Sequence, residues 1–150
     1  MGAKPKSPNA VAIPTIGATG GPLPTEQAWL AEDIAERYVA AFGSCLERGW
    51  VLVLAAAGRT PQRAIELHGA PDGHQAGRAI DVSFIGMERQ PGWNRDELDA
   101  ILGSHVFHPL GASRKGDPNH YQTDDYGGVR QIGPQKFKDL RAACEWVANV

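Results

Sequence analysis

The chain sets 18 glycines and 11 prolines among 150 residues, roughly one and a half times the average combined share of about 12%. Such an excess demands many turns and leaves little room for long helices. It is unevenly spread: Gly2, Pro5, Pro8, Pro14, Gly17, Gly20, Gly21, Pro22 and Pro24 all fall in residues 1–24. That stretch reads as an extended Pro/Gly-rich arm, followed by a single domain over residues 25–150. The arm carries no charge from Ser7 to Thr25, yet its prolines and glycines forbid both an apolar spanning helix and the apolar core of a secretory leader. No export signal and no stable membrane insertion are expected, so the chain is read as made in the cytoplasm.

A domain of this length supports its own core without disulfides, so Cys45 and Cys144 are read as buried thiols, with a bond between their helices as the alternative. Fifteen basic residues against 17 acidic ones give a net charge of −2. No basic run concentrates a field, which argues against nucleic-acid binding.

Helical spacing appears over Thr25 to Leu46, with Leu30, Ile34, Tyr38, Ala41, Phe42 and Cys45 on one face. Trp50 to Leu54 reads as a buried strand leading to Arg59. Thr60 and Pro61 fit the cap and first turn of a short helix to Leu67. Ala79 to Ile85 resumes a strand pattern, Asn94 to Leu102 a helix, and Gln135 to Val150 a closing amphipathic helix carrying Phe137, Leu140, Cys144 and Val147. This mixture predicts an α+β fold: a small, mostly antiparallel sheet with helices packed on it.

The chemistry concentrates in Asp72-Gly73-His74-Gln75-Ala76-Gly77-Arg78-Ala79-Ile80-Asp81. His74 and Asp81 would lie ~10 Å apart along a helix and over ~20 Å apart along a strand. Neither geometry lets both reach one ion, so the chain must fold back, and Gly77 can take the positive φ that such a turn uses. In Asp117-Pro118-Asn119-His120-Tyr121, Pro118 drives Asp117 out of the α region. His120 is then a candidate third ligand and Asp117 an acid or base beside it. Two histidines, one aspartate and an open fourth position compose a catalytic zinc site. The plainer readings are a loop histidine, a strand-edge aspartate, a helix cap at Asp117 and a surface arginine at Arg59. His105 and His108 have metal-like spacing without a third partner, and His68 reads as a helix end. Trp93 and Tyr121 fit either a cleft wall or the core.

His74-x-x-Gly77-x-Ala79-x-Asp81 followed by Asp117-x-x-His120, with Arg59-Thr60-Pro61 after an apolar strand, resembles the zinc peptidases of peptidoglycan. That family includes D-Ala-D-Ala carboxypeptidases, D-Ala-D-Ala dipeptidases and phage L-alanyl-D-glutamate endolysins. The resemblance covers roughly residues 50 to 122. It implies Zn2+ held by His74, Asp81 and His120, Asp117 as general base toward water, and Arg59 either at the developing oxyanion or on a substrate carboxylate. The implied substrate is a peptidoglycan stem peptide, cut by an L-Ala-D-Glu-type endopeptidase or a D,D-carboxypeptidase that acts as a monomer. Without a leader, such an enzyme meets the wall after release, injection or lysis, as a phage endolysin or an antibacterial effector does. The sequence departs from the family at Asp72, where serine is usual, and at Asn119, where tryptophan is frequent. Asp117 stands where many members carry glutamate, and its shorter side chain favours the endolysin-like branch. The alternative is a non-catalytic zinc-containing binding module of the same fold.

Overall fold

The computed structural model describes residues 4–109, 119–123 and 137–149. The fold is α+β, with two small antiparallel sheets and helices against them. Strand β1 (Ala10–Ala12) pairs with β2 (Trp29–Ala31), which runs straight into helix α1 (Glu32–Arg48). The three-stranded sheet has the order β3 (Leu54–Ala56), β4 (Ala79–Val82), β5 (His120–Gln122). Helix α2 (Pro61–His68) lies between β3 and β4, and α3 (Phe84–Glu88) and α4 (Arg95–Ser104) follow β4. Helix α5 (Leu140–Ala148) closes the described chain.

Local chemistry explains most boundaries. Thr60, Ser83, Asn94 and Asp139 each cap the helix that follows them, their side-chain oxygens accepting backbone N–H bonds from Arg63, Gly86, Glu97 and Ala142. Pro61 takes the first position of α2, where no N–H is required. The expected strand at Trp50 to Leu54 begins only at Leu54. Trp50, Leu52 and Val53 are buried, but the N–H groups of Val51 and Val53 go to the Gln90 amide oxygen and the Met87 sulfur. Ser83 ends β4 by capping α3, so Phe84 and Ile85 are helical. Likewise α1 starts at Glu32, not near Thr25, because Trp29–Ala31 satisfies its backbone as a strand against β1.

Residues 4–24 also depart from a free-standing arm. Ala10 and Ile13 belong to the main core, the Tyr38 hydroxyl donates to the Pro14 carbonyl at 2.8 Å, and Leu54 N–H donates to Ile16 at 2.8 Å. The stretch is extended, as its prolines dictate, but it is built into the domain.

The main core gathers Trp29, Leu30, Ile34 and Tyr38 with Trp50, Leu54, Ile80 and Tyr121. A second cluster joins Ala76 to Phe137, Ala143 and Cys144, so α5 backs the loop that precedes β4. Cys45 and Cys144 are both buried and unbridged. Among the described residues no helix is long and apolar enough to cross a membrane.

Candidate metal centre

Strand β4 alternates its faces. Ile80 and Val82 enter the core, whereas Ala79 and Asp81 point the other way. In β5 the register sets His120 opposite Asp81, Tyr121 opposite Ile80 and Gln122 opposite Ala79. Directly opposed residues share a face, so one side of the sheet is apolar core and the other presents Asp81, His120 and Gln122 together.

His74 comes from the loop before β4. Asp72 organises that loop: its carboxylate accepts from Gln75 N–H at 2.8 Å, and Gly77 and Arg78 N–H bond back to His74 and Gly73. Gly77 has φ +69°, the left-handed turn the spacing of His74 and Asp81 demanded. The returning chain brings His74 Nε2 to 3.2 Å and His120 Nδ1 to 3.1 Å from the same carboxylate oxygen of Asp81. The two rings meet edge to face with centroids 5.0 Å apart.

These three side chains could hold a metal ion, since one ligand atom from each lies within 4.8 Å of the others. The donor chemistry fits. His74 Nδ1 meets the carbonyl of Ala57, just beyond β3, at 2.6 Å. A carbonyl only accepts, so Nδ1 donates to it, and Nε2 is the nitrogen turned toward Asp81. Burial raises the Asp81 carboxyl, but hydrogen bonds from His120 and His74, with their charge, outweigh it and hold Asp81 well below the usual carboxylate range. A cation shared by the three acts on Asp81 with the same sign. His74 is 2% exposed, whereas the Asp81 side chain keeps 20% of its surface open. The centre therefore has a dry back and an accessible front.

That front is a cavity of about 380 Å³ whose walls include Arg59, His68, Asp72 and the three cluster residues. Arg59 is beside the site, as expected, but it is not idle. Its Nη1 pairs with Asp72, and His68 Nε2 stands 3.3 Å from the same Asp72 oxygen. A cavity of about 660 Å³ adjoins at Arg59, walled by Glu26, Gln27, Thr60 and Arg63.

Asp117, the expected general base, lies outside the described residues. Tyr121 is a buried core residue whose hydroxyl donates to Asp99, and Trp93, partly buried, packs against the core between Trp50 and Phe84. His105 Nε2 meets the Ser44 hydroxyl at 2.9 Å, and His108 bridges to Gln122 through its backbone. Neither belongs to the cluster.

The parts played by three residues were not read from the sequence. Asp72 both shapes the loop and engages Arg59. Gln122 Oε1 lies 2.7 Å from His120 Nε2, and its spacing of two from His120 on a strand is the signal that placed it on the same face. Arg78 is fully buried and bonds Asp33 of α1 through both terminal nitrogens; nothing in the local pattern pairs residues 45 apart. No family model and no curated protein matches the chain.

Proposed function

We propose that the chain is a zinc metallopeptidase hydrolysing peptide bonds in peptidoglycan stem peptides, either between L-Ala and D-Glu or at a D,D-carboxypeptidase bond. The observation that supports it is the convergence of His74, Asp81 and His120 on the open face of the sheet, at the wall of a cavity that also holds Arg59. Two neutral imidazoles and one carboxylate suit Zn2+ and leave room for water and substrate. Zinc in such a site supplies Lewis acidity and makes water a nucleophile near neutral pH.

The remaining roles fall to the chain's own groups. Asp117, on the strength of the motif, accepts a proton from the water that adds to the scissile carbonyl carbon. It returns that proton to the leaving amine as the C–N bond breaks. Arg59, anchored by Asp72, offers its guanidinium to a substrate oxygen at the mouth of the cavity.

The Arg59–Asp72 ion pair also favours a second reading, a non-catalytic zinc module, because it neutralises the one arginine lining the cavity among the described residues. One experiment separates the two. The purified protein is expected to bind one zinc per chain and to release new amino termini from cell-wall sacculi. Asp117→Ala should keep the zinc and lose about 10²–10⁴-fold in rate. Zinc-loaded protein that leaves sacculi and soluble muropeptides intact removes the peptidase reading and leaves the binding module. Mass spectrometry of the released fragments identifies the bond cut.

A further inference from the structure

We propose that the cavity beside Arg59 is a subsite for an amine-bearing side chain of the peptide substrate, with the Glu26 carboxylate as the group that recognises it. This cavity of about 660 Å³ shares Arg59 with the cavity of the metal centre, so one extended peptide can lie across both. Among the described residues, its charged walls are Glu26, Arg59, Arg63 and Glu66. Arg59 is neutralised by Asp72, and Arg63 pairs with Glu66 at 3.2 Å. The Glu26 carboxylate makes no hydrogen bond or ion pair among the described residues. Those walls are therefore left with one uncompensated negative charge. A carboxylate only accepts, and its complement in a ligand is a cationic donor such as an ammonium group.

Glu26 is held in place through its backbone. Its carbonyl accepts from the indole N–H of Trp29 at 2.9 Å, and Trp29 is fully buried. Gln27 N–H donates to Pro24 at 2.8 Å, and the Gln27 carbonyl accepts from Gly58, the residue before Arg59, at 2.8 Å. A Cβ on Gly58 would run into the Trp29 ring, so the segments carrying Glu26 and Arg59 are packed without a gap. Such fixed placement spares a ligand part of the cost of ordering its partner. Glu26 is also half-buried, where a charge pair is worth more than in open water. The assignment rests on the stem-peptide reading, which supplies a matching group. A stem peptide carries a diamino acid between D-Glu and D-Ala. Whether the cut falls between L-Ala and D-Glu or between two D-Ala residues, that diamino acid stands one residue, ~3.5 Å of chain, beyond the pair flanking the bond. Its side chain then falls past the metal centre, where the adjoining cavity lies. A cross-link turns this amine into an amide, so the subsite selects stems that are not cross-linked.

The test uses two peptides, Nα-acetyl-L-Ala-γ-D-Glu-L-Lys with its ε-amine free or acetylated, which differ only in that group. Calorimetric titration into the full chain, kept metal-free so that nothing is cut, should show the free amine bound on the order of 10-fold more tightly. Glu26→Gln should bring the two peptides to within about twofold of each other. Glu26→Lys should reverse the preference, and raising the salt should shrink it in the wild-type protein. Circular dichroism of each variant reports whether the fold persists; should Glu26→Lys misfold, Glu26→Gln carries the comparison. A preference for the free amine that depends on Glu26, in a protein that leaves sacculi and muropeptides uncut when zinc-loaded, keeps the subsite and removes the peptidase reading. Sacculi that are cut, with equal affinity for the two peptides, keep the peptidase and overturn the subsite. Binding of neither peptide, or a preference that survives Glu26→Gln, overturns it as well.

Discussion

Gly77 shows how far a single residue can be read without its neighbours. The turn it makes follows from the need to bring His74 back to Asp81. Its second constraint does not: a Cβ there would stand 2.5 Å from Ala31 N and 2.9 Å from the Trp29 ring, and both belong to a strand 46 or more positions earlier. The cysteines behave similarly. Their place on apolar helical faces identifies them as buried thiols, but only the fold shows Cys144 Sγ 3.9 Å from the Asp72 carbonyl, beneath the loop that carries His74. Burial pushes the Cys45 thiol up to about 11, and burial with the nearby Asp72 charge pushes Cys144 up to about 12, from an ordinary value of 9.0. Both folded-state values exceed the unfolded one, so the folded state favours the protonated thiols. Their stabilising contribution is complete below pH 9.0 and is lost as pH rises through 11 to 12. Native protein at pH 8 should therefore react with a disulfide thiol reagent on the order of 100-fold more slowly than protein unfolded in urea. Both thiols should become reactive on unfolding. Fast labelling of either one in native protein would mean that its helix is not packed as described.

At the scale of elements, the cap of α2 was legible, because a cap is a local hydrogen bond between residues three apart, whereas the caps at Ser83 and Asp139 were hidden inside strand and helix patterns that read as continuous. Thr60 and Asn94 start α2 and α4 where the sequence placed them. Strand ends were less legible, since a buried extended run forms a strand only where a partner accepts its hydrogen bonds; Leu52 and Val53 lack that ladder and Leu54 has it. The joint between α1 and β4 was not legible at all. Arg78 and Asp33 form a bidentate pair with both side chains fully buried, and the Arg78 guanidinium stacks over Phe137 at 4.7 Å. Arg78 stands inside the metal motif, so the pair fastens the loop of His74 to the N-terminal end of α1. Removing one member of such a pair strands the other charge in the interior and costs about 3–5 kcal/mol. Arg78→Met is expected to destabilise the protein by that amount in urea denaturation. The double variant Asp33→Leu/Arg78→Met should recover at least about half of it, because no buried charge remains. Losses that add in the double variant would show that the pair acts through something other than mutual neutralisation.

For the molecule as a whole, the glycine and proline excess serves two ends. Among its later members, Gly77 makes the turn that brings His74 back to Asp81. The early members keep residues 4–24 extended, so that this stretch covers the core. β1 gives Trp29–Ala31 its hydrogen-bonding partner, and all three of those residues are fully buried. This short strand and the turn before it reach the site: Ala31 N–H of β2 donates to the Gly77 carbonyl at 2.9 Å, and Gly58 N–H, one residue before Arg59, donates to the carbonyl of Gln27 at 2.8 Å. The order of support therefore runs from arm to β2 to the loops that carry His74 and Arg59. Removing residues 1–24 exposes Trp29, Leu30 and Tyr38, and burial of each such side chain is worth about 1.5–3 kcal/mol. A net loss of at least ~3 kcal/mol corresponds to a fall of roughly 6–12 °C in Tm for a domain of this size. Zinc affinity of the truncated chain should fall with it, because Gly77 loses its backing. A dispensable extension predicts the opposite pair of results, an unchanged melting midpoint and an unchanged zinc affinity. Differential scanning calorimetry of the full and truncated proteins, each with and without zinc, distinguishes the two.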